Sequence, residues 1–322
     1  VGSELIAEIG EANMADAATL VDFATWAIQT YPADKYALIM SDHGMGWPGG
    51  WSDASHNVRS SDTPLGQALG NQLFLNEADD AFQAIRNATG LDKFDLIGMD
   101  ACLMGQLEVM TMLQPHARYA VLSEETEPAL GWAYASFLDA LQRDPGMSGG
   151  ELGAKIVESY IVDDERIVDD SARADLLSQG QPMASLFGYA IPSSAQVASQ
   201  MSQQITLSVV DLSAIPMLND SLNNLCAALQ GADQRNVAQA RSYAQSFTNI
   251  FGQQVPASYI DLGHFCKLLK QTNPGAMVSS AADDVLAVLQ RSVVAETHGS
   301  GKPGATGVAI YFPNSALYRT PA

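Results

Sequence analysis

Basic residues are scarce in this chain of 322: 16 lysines and arginines stand against 36 aspartates and glutamates, a formal net charge of -20. A negative surface field of that size repels nucleic acid and anionic lipid and draws in cations, so basic peptides are the partners the charge favours. Cysteines number only three, Cys102, Cys226 and Cys266, without a Cys-x-x-Cys pair. An odd and widely spaced set supplies neither a disulfide framework nor a thiolate zinc site. Long apolar runs are missing too. Tyr36 to Met40 and Val308 to Phe312 are strand-sized, far below the roughly 18 residues of a membrane-crossing helix, so no membrane insertion is expected. There is no internal repeat and no low-complexity tract. The chain opens at Val1 without a basic start and apolar stretch, so any export signal is expected to lie outside it.

What is present is a composition 47% hydrophobic, enough for one large core or two modest ones. Apolar residues at helical spacing between Asp16 and Tyr31 predict an amphipathic helix stopped by Pro32. The uninterrupted run Tyr36 to Met40 lacks polar alternation, as does Phe94 to Met99; such runs predict parallel strands covered on both faces. Arg118 to Leu122, Leu186 to Ile191 and Ile205 to Asp211 read as further strands. Helical spacing is expected over 65–87, after Cys102 as far as Pro115, and from Ser148 toward Ile161. A glycine-rich surface loop is expected over 45–63 and an exposed acidic crossing loop over 163–175. Nearly all of 213–296 has helical periodicity, and Thr306 to Phe312 supplies one last strand.

Strands alternating with helices predict an α/β protein with a mainly parallel sheet. In such sheets the functional crevice lies beyond the carboxyl ends of the strands. His43 leaves the first strand and Cys102 the second, so neighbouring strands would put imidazole and thiol across a small gap. If Cys102 begins a helix, exposed amides and the helix dipole favour thiolate over thiol. The Cys102 N–H and the Gly44 N–H are then natural oxyanion donors, and His43 can move protons to the leaving amine and from water. The competing reading is that Cys102 packs beneath a helix and His43 only satisfies a loop. His298-Gly299 is a second His-Gly pair, read as a cap after a helix. His56, His116 and His264 lack strand-end placement, no histidine pair has zinc-site spacing, and Cys226 and Cys266 read as core.

Ser-Asp-His-Gly-Met-Gly-Trp at 41–47 and Asp-Leu-Ile-Gly-Met-Asp-Ala-Cys-Leu-Met-Gly at 95–105 closely resemble the two catalytic segments of clostripain-like cysteine peptidases, a group in the caspase, gingipain and legumain clan. The resemblance continues through Ser-Glu-Glu-Thr-Glu-Pro at 123–128, Asp-Leu-Ser from Asp211, Tyr-Ile-Asp-Leu-Gly from Tyr259 and Tyr-Phe-Pro from Tyr311. It implies a caspase-like sheet flanked by helices, with a helical C-terminal portion. The parts implied are a catalytic domain over 1–212, a helical subdomain over 213–304, and a final strand over 305–322 that returns to the sheet. Relatives carry an earlier strand and helix ahead of the region matching 1–35, so N-terminal elements are expected outside this chain.

The activity the resemblance implies is cleavage after arginine, or less readily lysine, through an acyl-thioester on Cys102. Asp100 would line the pocket for the basic side chain, where a carboxylate can pair with a guanidinium bidentately. A helix N-cap is the alternative reading of Asp100. Ser123 and Thr126 are candidates for the pocket wall, and Glu124, Glu125 and Glu127 for its negative rim. Trp47, Trp51 and Trp132 suit neighbouring subsites or packing. Self-cleavage is expected at Arg59–Ser60, because Arg59 is the only basic residue between Lys35 and Arg86. The product would be a monomer or a self-cleaved two-chain form, secreted from a bacterium or held in its envelope. The mechanism needs no cofactor; calcium enters through the resemblance, with the acids of 163–170 as its candidate loop. Two other functions stay open: a catalytically silent binder of basic peptides, and a caspase-type peptidase with acidic specificity.

Overall fold

A computed structural model describes residues 4–55, 69–178, 192–250 and 255–314. The first half runs α1 (Ala17–Thr30), β1 (Ala37–Ser41), β2 (Gly49–Ser52), β3 (Gln72–Phe74), α2 (Leu75–Thr89), β4 (Phe94–Asp100), α3 (Leu107–Leu113) and β5 (Ala117–Leu122). Next come α4 (Tyr134–Arg143), α5 (Gly149–Ser159), the short α6 (Glu165–Val168) and α7 (Asp170–Ser178), α8 (Ser194–Met201) and β6 (Thr206–Asp211). The remainder is α9 (Ile215–Leu229), α10 (Gln234–Tyr243), β7 (Tyr259–Asp261), α11 (Leu262–Gln271), α12 (Ala276–Ser292), β8 (Val293–His298) and β9 (Ala309–Tyr311).

Five strands form the main sheet in the order β1-β4-β5-β6-β8. The first three are parallel, and β6 and β8 continue the sheet in antiparallel pairings, so it is mixed. The interior strand β4 is apolar from Leu96 to Met99 because both of its faces are covered. Ile97 and Met99 join the helices α1, α2, α3, α9, α11 and α12 in one core, and Leu96 joins α4, α5 and α8 in the other. Gly98 allows the Trp132 ring to pack closely on this strand; a Cβ there would stand 2.8 Å from the ring.

Several local expectations change. The segment expected as a surface loop contains β2, mostly buried and paired with β3, because Gly49, Gly50 and Trp51 fold back beneath the His43 turn. The acidic crossing over 163–175 is largely helical, with Asp164 buried as the cap of α6. The helices of 213–304 do not form a separate body: Leu218 and Val285 share a core with Ile97 and Met99. Within that span β8 joins the main sheet, where helix was expected, since its β-branched residues pair with β6. The last strand, β9, pairs with β7 in a two-stranded sheet of its own instead of returning to the main one. Leu186 to Ile191 lies outside the described residues.

Candidate active site

Pairing of β1 with β4 decides the site. Ser41 stands opposite Asp100, and the Asp42 N–H donates to the Asp100 carbonyl at 3.3 Å, so both strands end level with each other. His43 and Cys102 therefore leave the sheet one strand spacing apart, about 4.8 Å. Contact between the two segments is direct. A Cβ on Gly44 would lie 2.3 Å from the Cys102 carbonyl oxygen, so only glycine lets the chains approach this closely. The His43 carbonyl accepts from the Trp51 N–H at 2.8 Å and the Met45 N–H donates to the Gly49 carbonyl at 2.9 Å. These bonds flank Gly44 and leave its own N–H outside the ladder. The His43 side chain is exposed, whereas Cys102 is half-buried.

Cys102 does not begin a helix. It sits in a turn whose next residue, Leu103, has φ of +66°, and α3 starts only at Leu107. A left-handed conformation costs a residue with a Cβ energy and turns the chain sharply, so the expected support from a helix dipole is absent. In its place the Glu127 N–H donates to Cys102 Sγ at 3.2 Å. The turn is tied to the segment after β5 by Leu103 N–H to the Glu125 carbonyl, 3.1 Å, and Gly105 N–H to the Ser123 carbonyl, 2.6 Å.

Asp100 is only 5% exposed and caps no helix. Its Oδ2 accepts from the Tyr134 hydroxyl at 2.9 Å, the Trp132 N–H at 3.3 Å and the Ser41 hydroxyl at 3.4 Å. Beside it lies Glu127, whose Oε1 accepts from the Trp132 indole N–H at 3.3 Å and whose Oε2 is buried without a partner. Burial, with the adjoining Asp100 carboxylate, holds the Glu127 carboxyl well above the usual carboxylate range. The same burial pushes the Tyr134 and Tyr160 hydroxyls up, keeping both neutral.

The other proposed pocket residues divide sharply. Thr126 is exposed, and its N–H donates to Glu125 Oε1 at 2.8 Å. Ser123, expected in the pocket wall, and Glu124 and Glu125, expected in its rim, instead have their polar atoms held inside the protein. Ser123 Oγ donates to the Thr206 carbonyl at 2.7 Å. Glu124 Oε2 accepts from the Gly307 N–H at 3.0 Å and its carboxyl meets that of Asp261. Glu125 is ion-paired with Lys302 and accepts from Thr126 N–H and Thr248 N–H. Trp132 and Trp51 are buried, and Trp47 packs on Tyr311. Sequence spacing gave no sign of Tyr134, Tyr160 or Tyr259, whose roles depend on contacts between distant segments.

His298 ends a strand, not a helix. Its strand is parallel in sense to β4 but three positions away, about 14 Å, and its Nδ1 faces Glu296 at 2.6 Å. His116 is buried against Asp79, and His264 Nδ1 accepts from the Gln245 N–H. Cys266 is buried, its thiol pushed up to about 12 by burial; Cys226, expected in the core, is exposed. His56, Arg59 and Ser60 lie outside the described residues. The acids of 163–170 do not fit a calcium loop: Asp164 binds Arg166, Asp169 accepts from Ser171 and Ala172 N–H, and Asp170 pairs with Arg173. Among the described residues no cluster of three His, Cys, Asp or Glu suits a metal ion, and no helix is long and apolar enough to cross a membrane.

The mixed sheet, with a His-Gly turn and an Ala-Cys turn at adjacent strand ends, defines a caspase-like α/β protein. The chain belongs to the clostripain family, peptidase C11, whose model matches residues 4–317. It is similar to clostripain of Hathewaya histolytica, 24% identical over 94% of this chain and 58% of that protein. Thus it spans less than two thirds of that relative's length. A secreted C11 cysteine protease from Bacteroides thetaiotaomicron, solved with an irreversible peptide inhibitor, is 21% identical with a TM-score of 0.59, over 96% of this chain and 75% of that one. An inactive zymogen C11 protease from Parabacteroides distasonis is 15% identical with a TM-score of 0.60, over 98% and 75%. At these identities the structures establish the shared fold.

Proposed function

We propose that the chain is a cysteine endopeptidase that cleaves after arginine or lysine, with Cys102 as nucleophile and His43 as its proton-transfer partner. The observation that carries this reading is the level ending of β1 and β4, with Gly44 against the Cys102 carbonyl and the buried Asp100 two residues before the thiol. Cys102 Sγ attacks the scissile carbonyl, and the N–H groups of Cys102 and Gly44 receive the oxyanion. His43 protonates the leaving amine, then takes a proton from the water that releases the acyl group. Asp100 receives the basic side chain, a charge-assisted contact in a site sheltered from water.

Family membership and the likeness to a secreted bacterial relative favour an exported enzyme acting on protein or peptide substrates. Self-cleavage at Arg59–Ser60 belongs to the same proposal. Mass spectrometry of wild type and Cys102→Ala tests it: a wild type that stays intact, or a variant that is cut equally, removes it. Assay of an arginine fluorogenic peptide against aspartate and citrulline counterparts tests the specificity. Hydrolysis of the arginine peptide that is lost in Cys102→Ala and in His43→Ala is the expected result. Binding without turnover in the wild type would favour the silent-binder alternative.

A further inference from the structure

The Asp100 pocket holds two carboxyl groups. Trp132 holds them side by side, its backbone N–H donating to Asp100 Oδ2 at 3.3 Å and its indole N–H to Glu127 Oε1 at 3.3 Å; carboxylates only accept hydrogen bonds, so two this close are relieved when one carries a proton. Donors are shared unequally between them. Asp100 Oδ2 has three, from Tyr134, Trp132 and Ser41, whereas Glu127 has the Trp132 indole alone and an unpartnered Oε2. The proton therefore resides on Glu127. Its surroundings are the Asp100 carboxylate on β4, Cys102 on the adjoining turn, the Tyr134 hydroxyl at the start of α4 and the Tyr160 hydroxyl after α5. Arg166 of α6 is the nearby cation, and it is bound to the Trp132 carbonyl at 3.2 Å and to Asp164 at 2.6 Å. Its hydrogen bonds thus go to other acceptors, although the Asp100 charge still reaches it.

We propose that Glu127 is the specificity-determining partner of Asp100, holding a proton in the free protein that an incoming cationic side chain displaces to solvent. The inference rests on the basic-residue reading of this pocket. A guanidinium or ammonium supplies the donors that Oε2 lacks and the positive charge that makes a second carboxylate tolerable. The carboxyl O–H of Glu127 ionises, its proton leaves to buffer, and the cation takes its place between two anions. A neutral side chain of the same shape cannot drive this exchange. Discrimination against it then grows as pH rises toward the point where the free Glu127 ionises.

The test is calorimetric titration of the Cys102→Ala chain with an arginine peptide amide, in buffers of different ionisation heat, between about pH 5 and 8. Release approaching one proton per peptide is expected at the acid end, with affinity rising up to about tenfold per pH unit until Glu127 ionises unaided. Glu127→Gln in the same background mimics the protonated carboxyl and keeps a side-chain oxygen for Trp132. It should lose both the release and the rise, and bind more weakly than the parent by a margin that widens with pH until the free Glu127 ionises. Subtracting it also removes any contribution from His43. A parent that binds arginine without proton release or pH slope overturns the proposal, as does a Gln variant with unchanged release. A citrulline peptide bound as tightly as the arginine peptide would instead overturn the basic-residue reading itself.

Discussion

The Tyr259 hydroxyl donates to the Met45 carbonyl at 2.5 Å, joining a strand late in the chain to the loop that carries His43. Gln106 assists, its Oε1 accepting from the Trp47 N–H at 3.1 Å. The small sheet of β7 and β9 thus braces the histidine loop from behind, while Leu103 and Tyr259 share an apolar cluster beside Cys102. Tyr259→Phe should cost about 1 kcal/mol of stability. It should also lower kcat by about tenfold, with KM little changed, because a loosened His43 misplaces the proton transfer. Thermal melts and steady-state kinetics check both; a loss of stability with unaltered kcat would show a purely structural bond.

Gly44→Ala places a methyl 2.3 Å from the Cys102 carbonyl oxygen. Backbone must move, so a destabilisation of about 1–3 kcal/mol is expected. Hydrolysis should fall by about 100-fold or more, since an oxyanion donor and the His43 turn shift together. A variant that keeps full activity would place the oxyanion site elsewhere.

Asp100→Asn leaves the shape of the pocket and removes its anion. The expected result is a fall of about 100-fold or more in kcat/KM for arginine substrates, the scale of losing one member of a buried charge pair. Citrulline substrates should change little. Equal losses on both would point to misfolding around Tyr134 and Trp132 instead of a lost charge contact.

Glu124 and Asp261 meet in the interior, and burial raises both carboxyls, Glu124 well above its ordinary range with the Asp261 carboxylate as a further cause. In the unfolded chain they ionise at ordinary values, so above those values the folded state binds more protons. Stability from the shared proton is complete below the ordinary carboxylate range and is lost as pH rises through the raised folded values. Glu124→Gln should flatten that alkaline decline, since its amide can donate to Asp261 without a proton to lose. Thermal melts across pH decide it; parallel curves for the two proteins would contradict the assignment.

Much of the site's frame was legible in the chain. The continuous apolar runs before His43 and Cys102 mark parallel strands that end side by side; β4 is covered as expected, whereas β1 lies at the sheet edge with only Met40 buried. Helical periodicity likewise marked α1, α5 and α9 through α12. Less legible was whatever depends on chain reversal: β2 within a glycine-rich stretch, β8 after a long helix, and β9 seeking β7. A Cys-Leu turn with positive φ at Leu103 carries the same residues as a helix start. Acidity misled too. Of the three glutamates after Ser123, two face inward toward Gly307 and Lys302, and only Glu127 reaches Asp100. The turn after β5 decides which side chain reaches Asp100, and residue type alone does not show it.

The assignment is tested most directly by trapping. An arginine peptide bearing an electrophilic ketone in place of the scissile amide, followed by peptide mapping, should modify Cys102 alone and abolish hydrolysis in step with labelling. Cys102→Ala should neither label nor cleave. Full hydrolysis by that variant, or labelling that settles on Cys226 while activity persists, would contradict a Cys102 nucleophile.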